Sequence, residues 1–277
     1  MNLFKNRKSI VVSIVFVICL FMMYMHIPPL ESKPEQTLRI IEQTSFEKEW
    51  GNFQVNGSGA DIYLDSTAQD GEYSLRFTFP VGFQGGDAPD TVYTTFSAAD
   101  EVYIQFFFKL SANFQWHPIT QKLIYFRCGQ QQLNDTNHLL SIGYYGNGIS
   151  VVTQHNTDVE NMEYHWGNID QITKDSWHKI VLHVKMNTSG DNNGILKVWF
   201  NDLLVIEQSD VLWLIKADYG GLYEFQFTPV FGGLGGSVTE TMYLYFDNLI
   251  IQNGPIIPYA LGSSPQVSPT APDYLSI

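Results

Sequence analysis

The sequence predicts an all-β sandwich behind an N-terminal transmembrane helix, and three observations carry that reading. Apolar and polar residues alternate with a period of two through several runs, as in strands with one buried face. Glycines (22) and aromatic residues (14%) are plentiful, which supplies both turns and bulky core fillers. A helical apolar period is nearly absent after residue 27, leaving roughly 240 residues, enough for one large domain with a full core.

The first 27 residues read differently. Lys5, Arg7 and Lys8 precede an apolar run from Ile10 to Ile27, about the minimum length for a bilayer span. No small-x-small cleavage site follows at His26-Ile27-Pro28-Pro29-Leu30, so an uncleaved signal anchor is expected, secretion being the outcome if the segment is cleaved. The basic flank stays cytoplasmic and the rest of the chain lies outside the cell. The expected layout is 1–27 cytoplasmic stub and anchor, 28–44 linker, 45–253 sandwich, and 254–277 a flexible Pro- and Ser-rich tail.

Within the sandwich, Asp61–Asp65 reads as a strand, and Gly71–Phe79 alternates with Tyr73, Leu75, Phe77 and Phe79 inward. Asp100–Leu110 follows, with Val102, Ile104, Phe106, Phe108 and Leu110 on one face and Tyr103, Gln105, Phe107 and Lys109 on a face suited to a groove. Leu139–His155 reads as two strands around Gly146-Asn147-Gly148, and Asn156–Thr173 as a connection overhanging the groove. The hairpin Asp175–Glu207 has one strand with Ile180, Leu182, Val184 and Met186 on one face, a polar turn at 187–194, and a second strand Ile195–Val205. Trp177 and Trp199 are expected in the core between the sheets. Tyr223–Phe227 and Met242–Ile251 complete the strands, joined through Gly232–Gly236, which no helix or Gly-Lys-Ser/Thr follows to make a phosphate loop.

Three stretches carry a family resemblance. Trp177-His178, Val184–Thr188, Asn193-Gly194 and Leu196–Asn201 form the first; Val102-Tyr103, Phe108–Ser111, Asn113-Phe114 and Lys122-Leu123 the second; Phe231-Gly232-Gly233 with Tyr243 to Asn248 the third. Together they resemble concanavalin-A-like jelly rolls of the lectin and glucanase type, and within those the alginate and glucuronan polysaccharide-lyase branch. The resemblance implies a jelly-roll β-sandwich that engages extracellular polysaccharide and cleaves uronate-containing glycan by β-elimination. The chain departs from the lyase pattern twice: no Pro-Gly follows Lys122-Leu123, and Val151–His155 stands where a Tyr-x-Tyr pair is expected. A non-catalytic, lectin-like glycan-binding module, or an adhesion protein with a protein partner, are the alternatives.

The chemistry narrows the candidates. No Glu-x-Asp-x-(x)-Glu run exists for a laminarinase-type glycosidase. A lyase needs a cation or amide against the uronate carboxylate and a His, Tyr or Lys for proton transfer. Catalytic candidates are Lys122, by resemblance, with Arg127 and His155. Strand parity groups Gln121, Tyr125 and Arg127 on one face and turns Lys122 inward with Ile124 and Phe126, against the resemblance. Gln121, Tyr125, Tyr144, Tyr145, Tyr164, Trp166 and His178 are candidate substrate-binding groups. No cofactor is required; Glu47, Asp65 and Asp247 are candidate ligands of a structural calcium. A net charge of −13 argues against a nucleic-acid partner. Cys128 alone lies beyond the anchor, so no disulfide forms there.

Overall fold

Strict alternation along Asp100–Leu110 translates directly into architecture. In the computed structural model Val102, Ile104, Phe106, Phe108 and Leu110 are all fully buried on one face of a ten-residue strand. The structure describes residues 38–47, 51–130, 133–143, 146–154, 162–188, 191–214 and 220–256, which contain fifteen strands and no α-helix. Residues 1–37 lie outside that set, and with them the expected anchor and most of the linker. No helix among the described residues is long and apolar enough to cross a membrane.

The strands are β1 (Ile40–Thr44), β2 (Gln54–Asn56), β3 (Ile62–Asp65), β4 (Ser74–Phe79), β5 (Thr91–Ala99), β6 (Glu101–Leu110), β7 (Gln121–Gln130), β8 (Leu133–Ile142), β9 (Ile149–Gln154), β10 (Met162–Gly167), β11 (Trp177–Lys185), β12 (Gly194–Phe200), β13 (Leu203–Val211), β14 (Leu222–Phe227) and β15 (Met242–Gln252). They form two antiparallel sheets. Sheet I has the order β13-β12-β11-β6-β15-β4-β3, with β1 also paired to β15; sheet II runs β10-β9-β8-β7-β14-β5-β2. Chain neighbours such as β6 and β7 sit in different sheets, which is how a sandwich crosses its own core.

Phenylalanines fill the space between the sheets. Phe106 and Phe246 from sheet I meet Phe225 and Phe227 from sheet II, with ring centroids 4.4 Å apart for Phe227–Phe246 and 5.9 Å for Phe106–Phe227. Each such ring removes a large apolar area from water, roughly 1.5–3 kcal/mol per side chain. Cys128 is fully buried on β7, and burial pushes its thiol far above the ordinary range.

Several expectations change. The sandwich begins at β1, inside the expected linker, because Ile40–Thr44 finds a partner in Leu249–Gln252. The hairpin's second strand is two strands: Asn201 and Asp202 both take positive φ (47° and 71°), a left-handed turn that these short polar residues tolerate, and β13 folds back on β12. Trp177 and Trp199 are only partly buried and sit on the outer face of sheet I, where Trp177 pairs with Lys109 and Trp199 with Val181. The tryptophan in the core is Trp213. Residues 162–167, expected in a connection, form edge strand β10.

Candidate functional site

Residues directly opposite each other on neighbouring strands share a face, so the registers of sheet II define its outer surface. One row crosses the whole sheet: Gln54, Tyr93, Gln226, Tyr125, Leu139, Val152 and Tyr164. Beside it runs a second, Thr95, Glu224, Arg127, Asn137, Gln154 and Met162. A groove of about 450 Å³ lies over the β2, β5, β14, β7 and β8 part of these rows, lined among others by Tyr93, Tyr125, Arg127, Asn137, Glu224 and Gln226.

Lys122 joins this face through a β-bulge. Its register partner is Ser141, but Ile124 already pairs with Leu140, so Leu123 is the extra residue. Leu123 and Ile124 are both fully buried, and parity is reset between them and Lys122. Lys122 therefore emerges on the side of Tyr125 and Arg127, with its Nζ 5.9 Å from the Tyr125 ring centroid. The disagreement between parity and resemblance resolves in favour of the groove.

The start of β7 is fixed from below. Gln121 is fully buried and donates from Nε2 to the carbonyls of Val230 (2.9 Å) and Lys122 (3.0 Å), so it positions the strand rather than facing a ligand. His117, also buried, accepts at Nδ1 from the Ile119 amide, which leaves its Nε2–H to donate to the Gly235 carbonyl at 2.8 Å. Gly232, at φ 61°, lies so close to the His117 ring that any Cβ would collide with it. The glycine run of 232–236 is thus moulded around a histidine at the Lys122 end of the groove.

Charge on the groove floor is sparse. Arg127 Nε lies 3.4 Å from Glu224 Oε1, and the Gln226 amide donates to the same carboxylate oxygen. Glu224 and Gln226 are mostly buried, and Lys122 makes no ion pair among the described residues. At the other edge, Tyr164 and Trp166 project from β10 as parallel rings, 6.0 Å apart and 7° from coplanar, both more than half exposed. Such a pair offers the flat apolar surface on which the apolar side of a pyranose packs.

A family model described as polysaccharide lyase matches residues 43–249. The chain belongs to the polysaccharide lyase family. Among solved structures, this lyase-family chain is similar to a marine alginate lyase from Aplysia kurodai, with TM-score 0.64 and 14% identity over 78% of this chain and 100% of that one. It is also similar to the alginate lyase vAL-1 from Chlorella virus, with TM-score 0.57 and 14% identity over 78% of this chain and 100% of that one. An endo-beta-1,4-glucuronan lyase from Trichoderma reesei matches with TM-score 0.56 and 16% identity, over 73% of this chain and 90% of that one. At these identities the neighbours establish a shared fold. No curated protein sequence matches.

In this lyase-family chain, the other predicted site residues divide. Tyr125, Arg127, Tyr164 and Trp166 lie with Lys122 on the outer face of sheet II. His178 does not: it lies on β11 of sheet I, with Nε2 on the Thr173 carbonyl (2.8 Å), Nδ1 on the Asn201 amide (3.2 Å) and its ring stacked on Phe200. Burial holds its pKa below the usual histidine value, as expected for a neutral packing group. The outer face of β6, expected to line the groove, likewise belongs to sheet I. Tyr144, Tyr145 and His155 lie outside the described residues.

The calcium candidates are spent otherwise. Asp247 is fully buried and caps the 66–71 loop, accepting from the amides of Gln69 (2.8 Å) and Asp70 (3.5 Å), and its other oxygen accepts from Asn248 (2.7 Å). Burial outweighs these bonds and pushes its pKa up to about 6. Glu47 accepts from the Glu72 amide, and Asp65 is bound at 2.5 Å by Arg76, itself between the rings of Tyr63 and Tyr243. Among the described residues no three acidic, histidine or cysteine groups converge as a metal site.

Reading the sequence alone missed Glu224, Gln226, Asn137 and Tyr93. The signal for the first two was present, since Glu224 and Gln226 alternate with Phe225 and Phe227. Which side of that strand faces a groove depends on its neighbours β5 and β7, remote in the chain.

Proposed function

We propose that this chain cleaves a uronate-containing polysaccharide by β-elimination in the groove of sheet II. The observation that carries the reading is the bulge at Leu123, which delivers Lys122 to the face that already holds Tyr125 and Arg127. In this scheme the Lys122 ammonium meets the uronate carboxylate and stabilises the charge that develops when the C5 proton leaves. The Tyr125 phenolic oxygen takes the C5 proton while its own proton passes to O4, so the tyrosine ends as it began: the C5–H electron pair becomes the C4=C5 double bond and the C4–O4 bond breaks with its electron pair leaving on the newly protonated O4. Arg127, Asn137 and Gln226 hold the adjoining sugar, and Tyr164 with Trp166 supports the chain further along. The alginate and glucuronan lyases of the same fold support β-elimination at a uronate. The apolar run of Ile10–Ile27 supports an extracellular site of action, tethered at the N-terminus.

A binding module is the second reading, favoured by the exposed Tyr164–Trp166 platform and by the absence of the family's Tyr-x-Tyr at 151–155. Incubating the full-length chain with uronate glycans and following the ultraviolet absorbance of unsaturated ends separates the two. A rising signal that disappears in Lys122→Ala establishes the lyase. Retardation in glycan affinity gels with no signal on any uronate glycan establishes the binding module.

A further inference from the structure

We infer that the groove prefers glycans whose carboxylates are separated by uncharged sugars, and that Glu224 sets this preference; the inference rests on the polysaccharide reading above and deepens it. Among the described residues lining the groove Glu224 is the one acid, and it sits on the floor rather than at the rim. It is ion-paired with Arg127 and accepts from Gln226, so the positive charge nearest the middle of the groove is already matched within the protein. Lys122 is the cation left to meet a carboxylate. Its partner Ser141 is four residues along β8 from Asn137, the partner of Arg127, so the two cations rise from backbone positions about 13 Å apart at about 3.3 Å per residue, a span longer than one sugar ring.

A polymer with a carboxylate on every sugar also carries one on the sugar that lies over Glu224. Two carboxylates in a part-desolvated floor repel strongly, and such contacts are how interfaces reject wrong partners. The overall charge of −13 adds no compensating attraction. Hydroxyl and amide groups surround Glu224 instead: Thr95 opposite it on β5, Tyr93 and Gln226 in the next row, and Asn137 beyond Arg127. With Glu224 as an acceptor, these groups match the hydroxyls of a neutral sugar. The geometry therefore fits a uronate at Lys122 and an uncharged sugar over Glu224.

The test compares polyglucuronate with deacylated gellan, in which neutral sugars separate the glucuronates, using the full-length chain and two readouts: unsaturated-end formation and retardation in affinity gels. Wild type is expected to favour gellan in both. Glu224→Gln is expected to shift the preference towards polyglucuronate by about tenfold, the scale of one unfavourable charge contact. Thr95→Lys guards against a folding defect: Thr95 is exposed and faces Glu224, so a lysine there covers the carboxylate without entering the core, and the same shift is expected. Wild-type preference for polyglucuronate, or a preference unmoved by both variants, overturns the inference while leaving the lyase reading intact. A gellan preference in gels with no unsaturated ends keeps the inference and removes the lyase. Neither cleavage nor retardation of either glycan overturns both.

Discussion

The outer faces of the two sheets treat charge in opposite ways. On sheet I every strand lysine and arginine is matched: Arg76 with Asp65 (2.5 Å), Lys109 with Asp175 (2.7 Å), Lys179 with Asp202 (2.5 Å), Lys197 with Glu207 (2.6 Å) and Lys185 with Glu101 (3.3 Å), whose other oxygen lies 2.9 Å from His183. His183 lies flat on Tyr103 with 4.2 Å between ring centroids, and burial keeps its pKa below the usual value despite Glu101. That surface satisfies itself. Sheet II instead presents a groove with one matched cation, Arg127, and Lys122 without an ion pair among the described residues. Half-exposed ion pairs contribute about 0–1 kcal/mol each, so the pairing on sheet I is a modest stabiliser, whereas the lack of it on sheet II is what a ligand would exploit.

Deleting Leu123 should break the contrast most severely. The deletion removes a fully buried leucine, worth about 2–5 kcal/mol, and turns Lys122 towards the core by straightening the ladder. Loss of cooperative urea unfolding, together with loss of all glycan cleavage, is the expected result. A milder cut is Lys122→Ala, for which turnover should fall by about 100-fold or more while stability moves by no more than about 0.5 kcal/mol. Lys109→Ala is its mirror on sheet I: stability should change by less than about 1 kcal/mol and turnover not at all. Equal loss of turnover in both variants would erase the functional distinction between the faces.

Asp247 sharpens the comparison through pH. Its folded pKa of about 6 lies above the ordinary 3.8, so its contribution to stability is complete below pH 3.8 and is lost as pH rises through 6. Ionised and buried at neutral pH, it costs on the order of 2–3 kcal/mol relative to the protonated form. Asp247→Asn should therefore gain on wild type by about that amount between pH 4 and pH 7.5 in urea melts, and a constant difference across that range would show that the carboxyl stays ionised. The smallest effect is expected at the edge of sheet II, where Trp166→Ala should weaken glycan retention in affinity gels several-fold, about 1 kcal/mol, without altering the unfolding midpoint.

How much of this was legible beforehand depends on local regularity. Strand β6 was read correctly residue by residue because nothing interrupts its alternation, and each inward side chain could be named from spacing alone. Strand β7 has the same length but carries an insertion in its ladder, and spacing then assigns Lys122 to the wrong side. The resemblance to lyases corrected what periodicity could not, since a bulge depends on the partner strand as much as on the sequence that bears it. His178 failed for the complementary reason: Trp177-His178 at a strand start looks the same in either sheet, and only strand order shows that β11 lies away from the groove. The Asn201-Asp202 turn is visible in composition but masked by the apolar residues that resume directly after it at Leu203-Leu204-Val205. Glu224 and Gln226 took their meaning from β5 and β7, more than ninety residues earlier in the chain.

The buried thiol of Cys128 has a practical consequence. It points into the core from the strand that supplies Lys122, Tyr125 and Arg127, and a thiol kept protonated there does not react with an alkylating reagent. Labelling at that position would therefore report each moment at which β7 parts from its surroundings. The molecule thus carries an internal clock for the opening of the strand on which its proposed chemistry depends, and a glycan that seats in the groove should slow it.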